Sequence, residues 1–423
     1  MTNFKKQIFS VVAAGSLLVS VATPVLADTT IQISGNGAGS DNYTKVEQTN
    51  TNTVSQNNTA NVTNNVTSNA DTGNNKAGFN TGGDVNIGTG KATAVANVTN
   101  TVNSNAAQIA GCNCEGDTNV KISGNGAKSD NTVTLKDTNV NSIGQNNVAN
   151  VTNNVDNNAN SGGNTANSNT GGDVMINTQG ATAVSNVTTV ANANSAMIGG
   201  GAGAGHNSAS FVISGNGAGS DNWIDAKLNN TNSVSQGNTA NVTNNVDSDA
   251  KTGYNDAGFN TGGDVMIGTG AAWSEANVDN MVNFNSANLD CGCVTDVLAK
   301  IDGNGATPEG HGYWDFWNKN DNTILLDLVN ANNVGQGNNS YLNNKVNADA
   351  KTGGNDADLN TGDTYGSDPS IGTGPATNVT DVNNSGNVNT VGGTPFVIPM
   401  PGDSSVSISF NFQALMAFFG MHV

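Results

Sequence analysis

No arginine occurs anywhere in the chain: all 14 basic residues are lysine, against 33 acidic ones, and charged residues make up only 11% of the 423. A net charge of −19 without a guanidinium to grip phosphate disfavours nucleic acid and anionic membrane surfaces, and leaves cations as the small partners. Aromatic side chains are sparse at 5%, and hydrophobic ones reach 35%, too little for a thick globular core. Catalytic patterns are missing as well. His206, His311 and His422 stand in unrelated contexts, no His-Glu-x-x-His or Gly-x-Ser-x-Gly occurs, and Gly90-Lys91 lacks both the upstream glycine and the following Ser/Thr of a phosphate loop. An enzyme is not expected; a carbohydrate-cleaving β-helix built on scattered aspartates is the enzymatic alternative.

Long apolar runs are confined to the start. Lys5 and Lys6 precede an apolar stretch from Ile8 to Ala22, and Val25-Leu26-Ala27 offers a small-x-small cleavage site. Residues 1–27 read as a secretory signal peptide, which makes the chain secreted, extracellular or cell-surface from Asp28 on. No later segment has the length and apolarity of a transmembrane span.

What the chain has in excess is asparagine, and it is periodic. "QNNTANVTNNV" at 56–66 returns as "QNNVANVTNNV" at 145–155 and "QGNTANVTNNV" at 236–246. Four units open at Ile33, Ile122, Ile213 and Ile301, spaced 89, 91 and 88 residues apart, and in each a glutamine stands 24 residues before an Asn-Thr-Gly. The domain boundaries drawn from this are 28–121, 122–212, 213–300 and 301–394, with an aromatic insert at 307–320 and an apolar tail at 395–423.

Parity gives the secondary structure. Ala60, Val62, Asn64, Val66, Ser68 and Ala70 step by two, with polar residues between them, which is a strand with one small, β-branched face. Val46 to Gln56 and Ala92 to Val102 repeat the idiom. Glycine corners such as "GNGA", "NTGGD" and "IGTG" separate the strands. Inward amides on stacked strands about 4.8 Å apart can pair as ladders, which satisfies groups whose isolated burial costs roughly 1 to 3 kcal/mol. The expected ladder residues are Asn50, Asn52, Gln56, Asn64 and Asn100 in the first unit, Asn139, Asn141, Gln145 and Asn153 in the second, Asn230, Asn232, Gln236 and Asn244 in the third, and Asn330, Asn332, Gln336 and Asn344 in the fourth. The fold class is all-β, a repetitive, parallel β-helix-like β-solenoid of four units, with an antiparallel β meander as the alternative. Three small coils per unit, about twelve in all, would make a rod on the order of 60 Å.

Gln236-Gly237-Asn238-Thr239-Ala240 resembles a compressed curlin repeat of bacterial amyloid fibres, and the chain is more broadly similar to bacterial secreted Asn/Thr/Gly-rich surface repeat proteins. The resemblance implies an exported subunit, stacked coils and a place in biofilm matrix and adhesion.

Other residues invite specific chemistry. Gly37-x-Gly39-x-Asp41 and Gly217-x-Gly219-x-Asp221 match part of a calcium-binding nonapeptide, so Asp41 and Asp221 are candidate Ca2+ ligands, and no other cofactor is expected. Cys112, Cys114, Cys291 and Cys293 form two C-x-C pairs, which in an exported protein suggest local disulfides or bridges to another molecule ahead of a shared zinc site, since a whole unit separates the pairs. Tyr313, Trp314, Phe316 and Trp317 crowd into the insert, either as a carbohydrate- or partner-binding patch or as a plug on the end of the solenoid. Alternation at Val406, Ile408, Phe410 and Phe412 suggests a terminal strand. An ice-binding face is disfavoured, because Thr49, Thr51 and Thr53 give way to Thr138, Val140 and Ser142 in the next unit. The function expected is a cell-surface or matrix structural protein acting in adhesion or self-assembly, its partners further copies of itself or a surface polymer.

Overall fold

The computed structural model describes residues 7–14, 17–22, 29–109, 118–199, 208–290, 296–305, 320–362 and 369–392, and every regular element in it is a β-strand. β1 (Gln7–Ala14) and β2 (Leu17–Ala22) lie ahead of the repeats. The first repeat then contributes β3 (Thr29–Ser34), β4 (Asp41–Asp71), β5 (Val85–Gly88) and β6 (Ala92–Ile109). The second gives β7 (Thr118–Ser123), β8 (Asp130–Asn160), β9 (Val174–Asn177) and β10 (Ala181–Gly199). The third gives β11 (Ser208–Ser214), β12 (Asp221–Lys251), β13 (Val265–Gly268) and β14 (Ala272–Asp290), and the fourth β15 (Asp296–Asp302), β16 (Asp321–Lys351), β17 (Ser370–Gly372) and β18 (Ala376–Val391).

Equivalent strands of successive repeats pair side by side, always parallel, into four sheets: β3-β7-β11-β15 (sheet I), β4-β8-β12-β16 (sheet II), β5-β9-β13-β17 (sheet III) and β6-β10-β14-β18 (sheet IV). Each repeat is therefore one rung of a parallel β-solenoid, and the antiparallel meander is excluded. The expected twelve small coils are replaced by four wide ones. The reason lies in the strand lengths: the two segments read separately at 46–56 and 60–70 belong to one uninterrupted 31-residue strand, whose phrase "NN" at Asn57-Asn58 continues the alternation instead of turning. Four rungs at about 4.8 Å rise only about 14 Å from first to last, while 31 extended residues cover about 100 Å, so the stack is broad and shallow. Rung 2 also begins a little ahead of the Ile122 boundary, since β7 opens at Thr118.

Each rung folds flat on itself. The first part of sheet II packs on sheet I through Ile122, Leu135, Phe211 and Ile224. Its later part packs on sheet IV, through Val54, Ile143 and Val234 against Ile109 and Ile198, then Val151 and Val242 against Val102, and finally Ala159 and Ala250 against Ala92 and Ala183. Sheet III closes the far end over Ala166 and Ala257. The interior is thin because alanine, valine and asparagine leave room for one side-chain layer from each face.

The corners require glycine where neighbouring rungs touch. A Cβ on Gly162 would overlap the carbonyl oxygen of Gly253 one rung away, and one on Gly253 would overlap that of Gly353. At the first corner Gly39 and Gly219 adopt φ of 69° and 72°, and Lys128, which replaces that glycine in the second unit, takes the same left-handed conformation at 57°.

Residues 7–22, excluded from the fold in the sequence reading, have their backbone paired parallel to β6 on the side away from β10, Gln7 beside Ala94 and Ala22 beside Ile109. They extend sheet IV past its first strand, with their backbone also close to β4. Among the described residues no helix is long and apolar enough to cross a membrane.

Candidate functional site

The distinctive chemistry of the molecule is its set of side-chain amide ladders, and the one-rung-per-repeat geometry decides their partners. Asn52 donates Nδ2–H to Asn141 Oδ1 at 2.8 Å, Asn141 to Asn232 at 2.9 Å and Asn232 to Asn332 at 2.8 Å. Asn64 donates to Asn153, Asn153 to Asn244 and Asn244 to Asn344, each at 2.7 Å. The glutamines run the other way: Gln145 Nε2 donates to Gln56 Oε1, Gln236 to Gln145, and Gln336 to Gln236, at 2.7 to 2.8 Å. Partners in these ladders are thus a whole repeat apart in sequence, where a stack of three small coils per repeat would bring closer neighbours together. In rungs 2 and 3 these side chains are fully enclosed, with Asn141, Asn153, Asn232 and Asn244 at 0% exposure.

Two expected columns depart from the simple pattern. Asn50 lies beside Asn139 in register, yet Asn50 Nδ2 and Asn139 Oδ1 have no hydrogen-bond partner among the described residues, and the ladder starts only at Asn139 to Asn230 (3.1 Å) and Asn230 to Asn330 (3.2 Å). This column falls between the cluster packed on sheet I and the one packed on sheet IV, so no described strand faces it to press the amides together. Asn100 meets Thr189 in rung 2, with a hydroxyl as acceptor at 3.3 Å, and also accepts from Asn64 across the interior at 2.8 Å.

That crossing reveals residues the sequence reading missed. Asn58, Asn105, Asn147, Asn194, Asn238, Asn285, Asn338 and Asn389 form one zigzag that alternates between sheets II and IV, each Nδ2 donating to the next Oδ1 at 2.8 to 2.9 Å. A second column, Asn103, Asn192, Asn283 and Asn387, sits inside sheet IV with φ of 58°, 63°, 64° and 56°. Asn103, Asn192 and Asn283 each donate to the next amide and also to a carbonyl of sheet II, of Val148, Thr239 and Asn339, while Asn387 donates to the Ser340 hydroxyl. Asparagine tolerates this left-handed conformation better than other non-glycine residues. The pairing skips these residues, and the inward parity shifts from even to odd: Ala96, Val98 and Asn100 face in before the bulge, Asn105, Ala107 and Ile109 after it. The signal was present as Asn-x-Asn at the same place in all four units. At the corners Asn75, Asn164, Asn255 and Asn355 form a third kind of column, in which both the backbone N–H and Nδ2–H of one residue meet the Oδ1 of the next.

The candidate calcium ligands are not brought together. Asp41 and Asp221 are two rungs apart with Asp130 between them and Asp321 beyond, a column of four carboxylates at the head of sheet II. Burial, and then repulsion from Asp221 and Asp41, raises the pKa of Asp130. Among the described residues no three acidic, His or Cys side chains converge to hold a metal. Asp137 is an inward carboxylate in the column Gln48, Asp137, Leu228, Leu328. Burial raises its pKa, and its Oδ1 has no hydrogen-bond partner among the described residues. The four cysteines, Tyr313, Trp314, Phe316, Trp317 and the tail at 395–423 lie outside the described residues.

No family model matches the chain, and neither a curated protein nor a solved structure is similar to it. The likeness of Gln236–Ala240 to a curlin repeat rests on those residues alone.

Proposed function

We propose that this protein is a secreted structural element of a cell surface or extracellular matrix, acting through adhesion or self-assembly. The reading is supported above all by the in-register continuity of one wide rung through four repeats, with backbone and amide ladders running together along the stacking direction. Such a body gains stiffness from each added layer, and its broad outer faces carry Thr, Asn and Asp that stay hydrated. Localising the protein on intact producing cells with antibody, and measuring attachment of cells lacking it, tests this. Surface or matrix labelling with weakened attachment is expected; labelling only after lysis would contradict it.

A second reading, a carbohydrate- or partner-binding adhesin, is favoured by the column at the third corner, where Phe79, Phe259 and Leu359 are 87%, 61% and 71% exposed. All three hold positive φ, a conformation non-glycine residues adopt at a cost. Phe79→Ala with Phe259→Ala should then reduce attachment while leaving the fold and surface display unchanged.

A further inference from the structure

The two ends of the stack are complementary to one another. At the rung-1 end, Asn52 and Asn64 donate into the stack, and their Oδ1 atoms accept nothing among the described residues. At the rung-4 end, Asn332 Oδ1 accepts from Asn232, and its Nδ2 donates to nothing among the described residues. In the Asn52–Asn332 column one end thus offers an acceptor where the other offers a donor, at the same register position of the 31-residue strand. The apolar columns are cut in the same way: Val62 and Ala60 at one end, Leu342 and Val346 at the other, are only partly covered, whereas Val151 and Val242 between them are buried. Gly353 carries the same message. A Cβ there meets nothing within 4 Å, although Gly73, Gly162 and Gly253 each lie so close to the next rung that a Cβ would overlap its backbone.

We propose that rung 4 of one copy docks on rung 1 of the next, in the parallel register already used between rungs, so that Asn332 donates to Asn52 and Asn344 stacks over Asn64 of the neighbouring copy. The contact is head-to-tail and leaves both outer ends unchanged, so it propagates into a filament that gains about 19 Å, four strand spacings, per copy. In the full chain part of this seat is already taken: β1 and β2 lie on the outer edge of β6, where β18 of the incoming copy would pair. The backbone of residues 7–22 pairs with β6 and lies near β4, both in rung 1, so the ladders and clusters between rungs 2, 3 and 4 form away from it. Removal of this segment opens the edge. This deepens the self-assembly reading above by naming the partner, the two surfaces and the segment that keeps them apart.

The test compares the full chain with the chain from Asp28, by negative-stain microscopy and sedimentation. The Asp28 chain should form filaments with an axial repeat near 19 Å, and the full chain should pellet at least tenfold less. Asn332→Asp keeps the acceptor for Asn232 but loses the outward donor, and Asn52→Lys keeps a donor for Asn141 but loses the outward acceptor. Made in the Asp28 chain, each alone should cut pelleted protein at least tenfold without shifting the melting of the soluble form, and mixing the two should restore filaments by setting Asp against Lys. Gly353→Ala should also block assembly and leave the monomer unaltered. Filaments that persist in Asn332→Asp and Gly353→Ala, or single variants that fail to complement each other, would overturn the proposal. An Asp28 chain that is folded by circular dichroism and monomeric at every concentration would also overturn it, while antibody labelling on intact cells would leave the structural role standing.

Discussion

Rungs 2 and 3 and rungs 1 and 4 carry nearly the same residues at the same register, yet they are different environments. Asn153 and Asn244 are completely enclosed while Asn64 is 7% exposed, and Val151 and Val242 are core where Val62 lies at the rim. The difference teaches that burial here belongs to the stack and not to the residue. A valine or amide becomes interior only when a copy of itself lies on both sides, so each repeat is stabilised mainly by its neighbours, as in other one-dimensional arrays.

The sharpest break in that comparison uses glycine. Gly253→Ala forces a methyl group into the backbone of rung 4 and should cost about 3 to 5 kcal/mol in chemical denaturation, whereas Gly353→Ala, with open space around it, should leave the isolated chain unchanged. If both were equally damaging, the corner glycines would be needed for their own conformation and not for rung contact.

Next come two adjacent asparagines. Asn153→Ala removes a bond to Asn244 and strands the amide hydrogens of Asn64 and Asn100, and should cost about 2 to 3 kcal/mol. Asn154 belongs to the outward ladder between Asn65 and Asn245, where water replaces a lost bond, so Asn154→Ala should fall within about 0.5 kcal/mol. Asn344→Ala at the stack end should lie between them.

Asp137 sharpens the same contrast from the other side, as a half-buried carboxylate between Gln48 and the partly buried Leu228. Asp137→Leu should raise stability by about 1 kcal/mol at neutral pH, read as a higher melting temperature. Because burial raises the folded-state pKa of Asp137, its charge costs stability above that pKa, and the cost is relieved as pH falls through it. Mild acidification from neutral should therefore stabilise the parent relative to Asp137→Asn, and Asp130 acts in the same direction. The smallest effect is expected at the partly exposed pair Lys251 and Asp249, 2.7 Å apart: Lys251→Ala should change the melting temperature by no more than a degree or so, since such pairs contribute roughly 0 to 1 kcal/mol.

Much of this architecture is legible in the residues, because period-two parity and a rigid 24-residue spacing are local signals. Val62, Asn64 and Val66 declare their face without reference to anything distant. The number of rungs is not local. Whether the strand stacked directly beside that of Asn64 comes from its own repeat or from 89 residues away depends on whether Asn57-Asn58 turns or continues, and both are compatible with that dipeptide. The zigzag through Asn58 and Asn105 was hidden for a related reason: Asn105 faces inward only because the bulge at Asn103 reverses parity, and strict stepping by two carries the eye past it. Asp41 and Asp221 show the converse, a motif whose spacing suits a cation but whose parallel stacking sets like charges in a column.

The number of rungs is also what a single distance tests most directly. Thr63, Thr152, Thr243 and Asn343 occupy one outward column. Spin labels at Thr63→Cys and Asn343→Cys, in a chain whose native cysteines are replaced by serine, should report a separation of about 15 Å by dipolar electron paramagnetic resonance, three strand spacings plus the reach of the labels. A separation of about 40 Å or more, as a stack of three small coils per repeat would give, would contradict the account.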